Sequence, residues 1–67
     1  MEITELKKGE IYIDQSGLGM AFRFNGMLGY RTATFNICEW SEEKGDYITT
    51  DEIDILTLLE IKRLIKA

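Results

Sequence analysis

The chain has 67 residues, of which 45% are hydrophobic and 30% are charged, and its formal net charge at pH 7 is −4. This composition predicts one folded domain that buries about 60% of its unfolded surface, and it excludes a disordered chain. One cysteine and no histidine exclude an intramolecular disulfide, a thiolate metal tetrad and the commonest general base. The acidic balance also opposes counterion-driven binding to nucleic acid or to anionic membranes.

The N-terminal segment mixes charged side chains with few apolar ones. It lacks the apolar core of a secretion signal, and no stretch of the chain approaches the roughly 20 apolar residues of a membrane span. We therefore expect a soluble protein of the cytoplasm. Ile3 and Leu6 lie three residues apart, which fits one helical turn or an irregular lead-in that plugs one end of the core.

The first predicted strand covers residues 10–15. Alternation along it predicts that Ile11 and Ile13 point inward and that Tyr12 points outward. The sequence SGLG at residues 16–19 predicts a tight turn that sets the next strand antiparallel to the first. Its two glycines lack the third glycine and the following helix of a dinucleotide-binding loop.

Residues 20–40 carry the clearest strand signal and organise the rest of the chain. Period-two alternation predicts two antiparallel strands with one common buried face. This face comprises Met20, Phe22, Phe24, Ala33, Phe35 and Ile37. The turn candidates Asn25-Gly26 and Gly29 predict a connection of about four residues, with the second strand resuming at Tyr30.

Cys38 and Trp40 fall out of phase with this buried face. Either a bulge returns them to the core, or Trp40 marks an exposed or partly covered patch. Cys38 has no histidine partner for thiol catalysis, and we predict that it is a small core residue.

The second half of the chain begins with a polar loop at residues 41–46. Residues 47–50 predict a short fourth strand, because β-branched and aromatic residues return there. Residues 51–56 predict either a fifth short strand or an extension of the fourth across a bend.

The last predicted element is a helix over residues 58–66. Thr57 and Glu60 have the capping-box spacing that satisfies backbone amides at a helix start. The apolar face of this helix would comprise Leu58, Ile61, Leu64 and Ile65. Leu59 lies off that face, at the edge of the core contact or in an exposed apolar site.

The predicted fold is mainly β: a small antiparallel, partly open SH3-like barrel of four to five strands, with the C-terminal helix over one mouth. Three features of the chain can be compared with known families: LKKGEIY at residues 6–12, FRFNG at residues 22–26, and the Thr57 and Glu60 cap. In these features the chain resembles small SH3-like β-barrel proteins of unknown function from bacteriophages and mobile elements of gut bacteria. The resemblance implies a barrel fold and a phage-like origin, and it supplies no catalytic residues.

An enzyme is the class that the sequence favours least. Asp51, Glu52 and Asp54 could bind a hard cation, but they lack the spacing and the glycine of a calcium-binding loop. Paired-carboxylate hydrolysis needs a cleft that a domain this small rarely offers. We predict no catalytic residues, no metal and no cofactor.

Two non-catalytic functions remain. The first is a small accessory or protein-interaction module, such as a phage-encoded modulator of a host protein or defence system. Aromatic residues often dominate binding energy, and the acidic second half favours a basic partner. The candidate partner contacts are Trp40, Tyr47, Leu59, Glu42, Glu43 and Asp46.

The alternative function is binding of single-stranded nucleic acid by the barrel. Aromatic rings would stack on bases, and arginines on the outer face of the central strands would contact phosphates. The residues for this role are Tyr12, Arg23, Tyr30 and Arg31. A homodimer is a further expectation if an edge strand or Leu59 is exposed.

Overall fold

The computed structural model describes residues 1–15 and 19–67, so all of the predicted turn at residues 16–19 except Gly19 lies outside the described residues. Five strands, one α-helix and one short 3-10 helix follow each other along the described chain. They are the 3-10 helix Ile3–Glu5, β1 (Ile11–Asp14), β2 (Ala21–Met27), β3 (Thr32–Ser41), β4 (Asp46–Thr57), α1 (Leu58–Lys62) and β5 (Leu64–Lys66).

The strands form one open antiparallel sheet in the order β4-β3-β2-β1-β5. Chain neighbours pair in sequence from β1 to β4, and β5 returns to pair with the free side of β1. The prediction of a mainly β, antiparallel fold with one C-terminal helix is confirmed. β4 and β5 are the two edges of this sheet.

The hydrophobic core lies on one face of the sheet, around three phenylalanine rings. Phe35 contacts Phe22 edge-to-face at a centroid distance of 5.9 Å and Phe24 at 5.5 Å. Such aromatic pairs add stabilisation beyond the area that they bury. The remaining members of the core are Tyr12, Ala33, Leu56, Ile61 and Leu64. Met1, Ile3 and Leu6 pack against it, so the prediction that the N-terminal segment plugs the core is confirmed.

Tyr12 belongs to this core, so the prediction that it points outward is wrong. Only 2% of the residue is exposed, and its hydroxyl accepts a hydrogen bond from the Lys7 backbone N–H at 2.8 Å. Ile11 and Ile13 are only partly buried. Alternation was ambiguous here, because all three side chains are apolar enough to occupy either face. The hydroxyl partner that lets a tyrosine be buried comes from outside the strand.

The connection between β2 and β3 spans residues 28–31, which confirms the predicted loop of about four residues. Asn25-Gly26 is not part of that turn. Phe24 pairs with Phe35 and Gly26 with Thr34, so Asn25 is the extra residue of a β-bulge inside β2. This strand therefore continues to Met27, and β3 begins two residues later than predicted.

The start of β2 also differs from the prediction. Met20 precedes the strand and is 37% exposed, whereas Ala21 is fully buried. Ala21 pairs with Cys38 on the face of the sheet opposite the phenylalanine core. Larger neighbouring side chains can cover a residue as small as alanine. Hydrophobic alternation along one strand does not predict such burial.

β4 is one continuous strand, so the extension of the fourth strand across an irregularity is the correct interpretation of residues 47–56. The irregularity is a bulge: between Asn36 and Cys38 the partner residue changes from Ile53 to Thr49. The Asn36 side chain holds this bulge, since its Nδ2 donates to the Thr50 carbonyl at 2.9 Å. Asn36 Oδ1 in turn accepts a hydrogen bond from Asn25 Nδ2, which links the two bulges across the sheet.

The C-terminal helix is shorter than predicted. α1 ends at Lys62, and residues 64–66 form strand β5 instead of the last turn of the predicted helix. The helix start is as predicted, because the Thr57 N–H donates to Glu60 Oε1 at 3.1 Å. The early end has a tertiary cause: the free side of β1 offers backbone partners to β5, and Leu64 becomes buried.

Candidate functional site

An aromatic pair stands near the turn of the β3–β4 hairpin. Trp40 and Tyr47 face each other across the two strands, with ring centroids 5.1 Å apart and an interplanar angle of 75°. Cross-strand aromatic pairs of this edge-to-face kind stabilise a hairpin and hold both rings in place. Trp40 is nevertheless 56% exposed, so the fold fixes a large aromatic surface without burying it.

The pair lines an open groove of about 400 Å³, called the aromatic groove below. Three separate parts of the chain contribute to it: the segment entering β1, the ends of β3 and β4, and the residue that follows β5. The lining residues are Gly9, Glu10, Ile11, Trp40, Asp46, Tyr47 and Ala67. A bulge lies between β3 and β4 on the side of the pair toward the middle of the sheet. Bulges generally increase local twist and change the direction of nearby side chains.

The charged side chains that line the aromatic groove are acidic, and Arg23 borders the groove where it bonds the Gly9 carbonyl. Glu10 and Asp46 lie in its lining, and the adjoining turn exposes Glu42 and Glu43. Residues 39–54 contain seven acidic side chains against the single basic residue Lys44. A groove with this lining attracts positively charged groups.

Ser41 shapes the turn that carries these acidic residues. Its carbonyl accepts the Gly45 N–H at 2.8 Å, and its Oγ accepts the Lys44 N–H at 3.2 Å. Gly45 has φ of +64°, a conformation that glycine adopts without steric strain. The predicted polar loop is confirmed, and its two glutamates are directed to solvent beside the aromatic pair.

No bulge returns Cys38 or Trp40 to the phenylalanine core. Cys38 is nevertheless a buried free cysteine, with its Sγ 3.8 Å from Thr49 Oγ1, which confirms the prediction of a small buried residue. Trp40 remains an exposed patch. Both lie on the face opposite the phenylalanine core, and this is why the sequence showed them out of phase with Phe35.

Leu59 does not belong to the aromatic groove. It is 73% exposed on α1 and lines a different groove with Arg31 and Lys62. The six predicted partner contacts therefore do not form one surface. Five of them lie on the β3–β4 hairpin and its turn, and Leu59 lies apart beside basic residues.

The residues predicted for nucleic-acid binding are also separated. Tyr12 is buried, so its ring is not accessible for base stacking. Arg23 donates from Nε to the Gly9 carbonyl at 3.4 Å. Tyr30 is 97% exposed in the loop before β3, with Arg31 next to it. The structure thus leaves the loop pair Tyr30 and Arg31 apart from the mid-strand Arg23.

Glu10, Ile11 and Ala67 are groove residues that sequence reasoning missed as contacts. They lie far from Trp40 in the chain, and only the pairing of β1 with both β2 and β5 brings them to it. Local sequence pattern carries no signal for such a contact. Among residues 1–15 and 19–67, no group of three or more cysteine, aspartate or glutamate side chains is placed to hold a metal ion.

Comparison of the chain with protein-family models, with curated proteins and with solved structures finds no match. Within the described part of the chain, no helix is long and apolar enough to cross a membrane. The geometry of the aromatic groove is therefore the main support for a functional proposal.

Proposed function

We propose that the chain is a non-catalytic protein-interaction module that binds a basic segment of a partner protein in the aromatic groove. The observation that carries this proposal is Trp40, a large aromatic side chain left 56% exposed while its ring is held against Tyr47. Exposed, rigid aromatic residues are the side chains that most often dominate a protein interface.

The chemistry of the groove supports a basic partner. Lysine and arginine side chains bind over tryptophan and tyrosine rings through cation–π attraction. Glu10 and Asp46 beside these rings would pair with the same cations, and Glu42 and Glu43 would steer their approach. The groove therefore offers a guanidinium or ammonium group both aromatic rings and carboxylates as contacts.

The proposal extends to the architecture. We propose that the sheet is a partly open SH3-like barrel, because its two edges approach each other. Asp46 and Tyr47 belong to edge strand β4, while Ala67 directly follows edge strand β5, and all three line the aromatic groove. With the phage-like origin that the resemblance implies, the partner would be a host protein.

The protein partner is favoured over the alternative of single-stranded nucleic acid. A net charge of −4 opposes binding to phosphates, and the burial of Tyr12 removes one of the two rings proposed for stacking. The acidic lining of the aromatic groove repels a phosphate backbone as well.

Affinity capture from a bacterial lysate tests the proposal. Tagged wild-type chain, Trp40→Ala and Leu59→Ala would be compared, each with and without nuclease. We expect a protein with an exposed basic segment to bind the wild type and Leu59→Ala and to survive nuclease. Loss of a central aromatic contact costs about 2 kcal/mol or more, so Trp40→Ala should bind at least about thirtyfold more weakly.

Leu59→Ala is the matched control because it also removes an exposed large apolar side chain, but from the other groove. Capture that is lost after nuclease treatment would support the nucleic-acid alternative. Capture that depends on Leu59 and not on Trp40 would move the binding surface to α1 and contradict the proposal.

A further inference from the structure

Edge strand β4 has the general features of a strand that pairs with other chains. It is 12 residues long, and no other strand of residues 1–15 and 19–67 pairs with its outer side. Ile53 and Ile55 on its outer face are 58% and 49% exposed. A long edge strand with exposed apolar side chains is a template for intermolecular strand pairing.

The backbone N–H groups of β4 show how this pairing is opposed. In an antiparallel sheet, an edge strand directs the N–H of every second residue away from its neighbour. Ile55 and Thr57 are two residues apart, as that alternation requires. The Ile55 N–H donates to Asp54 Oδ1 at 2.9 Å, and the Thr57 N–H donates to Glu60 Oε1 at 3.1 Å.

Two more donors of β4 are satisfied in the same way. The Tyr47 N–H donates to Asp46 Oδ1 at 2.8 Å, near the first end of the strand. The Glu52 N–H, at the bulge, donates to Thr50 Oγ1 at 3.2 Å. Four N–H groups along this one strand are thus bonded to side-chain oxygens of their own chain.

We infer that Asp46 and Asp54 are edge caps, which keep β4 from pairing with β4 of a second copy of this chain. A carboxylate bonded to an edge N–H occupies the donor that an incoming strand would use, and its charge stands where that strand would lie. Glu60 has a separate role at the start of α1, and Thr50 Oγ1 also donates to the Ile37 carbonyl at the bulge. The inference does not depend on the aromatic groove being a binding site.

Charge alone would also oppose such a dimer, and the test must separate the two causes. In a β4–β4 dimer whose two-fold axis passes through Asp51, Glu52 or Asp54, that residue would lie directly opposite the same residue of the second copy. Like charges directly opposite each other are destabilising. Asp51 and Glu52 are exposed acids of the same strand. Their removal changes the charge of β4 by the same amount as removal of the two caps.

The experiment compares Asp46→Ala/Asp54→Ala with the charge-matched Asp51→Ala/Glu52→Ala by sedimentation equilibrium over a range of concentrations. We expect the first variant to dimerise at least about tenfold more tightly than the second. This factor corresponds to about one additional hydrogen bond between the two β4 strands, made by an N–H that the carboxylate no longer occupies. In hydrogen exchange, the amides of Tyr47 and Ile55 should become protected as the concentration of that variant rises.

A second variant, Asp46→Asn/Asp54→Asn, removes the same charge but keeps a side-chain oxygen that can accept the edge N–H. We expect it to associate no more than Asp51→Ala/Glu52→Ala. Equal dimerisation of the asparagine and alanine variants would assign the effect to charge and overturn the inference. So would an alanine variant that associates no more than its control. If the double alanine variant is unfolded, Asp54→Ala against Asp51→Ala gives the same comparison at one cap.

Discussion

At the scale of single residues, the segment before β1 shows why Gly9 and Tyr12 occur in the motif LKKGEIY. Gly9 has φ of +87°, and its N–H donates to the Phe24 carbonyl at 2.9 Å. The Tyr12 hydroxyl accepts the Lys7 N–H from the same segment. A glycine that permits the turn and a tyrosine that closes it together anchor the lead-in to the core. Gly9 and Tyr12 of the motif therefore have structural roles.

The Tyr12 hydroxyl should contribute measurably to stability. Tyr12→Phe leaves the Lys7 N–H without its partner, and loss of one partly buried hydrogen bond costs about 1 kcal/mol. Tyr30→Phe is the matched control, because Tyr30 is almost fully exposed. Urea unfolding followed by circular dichroism should show a lower midpoint for Tyr12→Phe and an unchanged one for Tyr30→Phe. Equal midpoints for both variants would contradict the role given to this hydroxyl.

At the scale of elements, the C-terminal segment shows how tertiary pairing overrides local helical pattern. The apolar positions predicted one helix through residue 66, yet the chain leaves the helix after Lys62. Leu64 then packs in the core and Ile65 pairs with Ile13 of β1. β5 completes the sheet on the side of β1 that β2 leaves free. The stability of this segment therefore depends on burial of Leu64 and on pairing with β1.

The stability costs of substitutions at two neighbouring residues distinguish strand β5 from the predicted helix. In the strand, Leu64 is fully buried and Ile65 is 44% exposed, whereas the predicted helix placed both on its buried face. Leu64→Ala should cost about 2 to 5 kcal/mol, the range for a buried leucine, and Ile65→Ala should cost clearly less. Thermal or urea unfolding measures both values. Similar losses for the two variants would favour the helix.

Sequence pattern predicted the antiparallel strands, the four-residue loop, the polar turn and the start of α1, because each depends on residues close together in the chain. It did not predict the β5 strand, the buried Tyr12 or the bulge at Asn25. Each of these depends on a partner from another element. The same distinction holds at the groove: Trp40, Tyr47 and Asp46 were named from local features, whereas Glu10 and Ala67 reach them only through the sheet.

At the scale of the whole molecule, charge is divided between regions of the chain. Residues 39–54 hold seven acids and one lysine, while the rest holds five acids and seven basic residues. The molecule is elongated, with extents of 37, 22 and 16 Å, and the acidic region covers the turn of the β3–β4 hairpin and most of β4. An approaching basic partner would be steered toward the aromatic pair, more strongly at low salt.

Fluorescence of Trp40 tests the central claim most directly, because it is the only tryptophan in the chain and lies in the aromatic groove. The chain would be titrated with an arginine-rich peptide, a glutamate-rich peptide of equal length and single-stranded oligothymidylate, none of which contains tryptophan. We predict that only the arginine-rich peptide shifts the Trp40 emission, and that added salt or the variant Glu10→Gln/Asp46→Asn weakens the response. A response to the glutamate-rich peptide or to the oligonucleotide, or none to the arginine-rich peptide, would contradict the assignment of the aromatic groove to a basic partner.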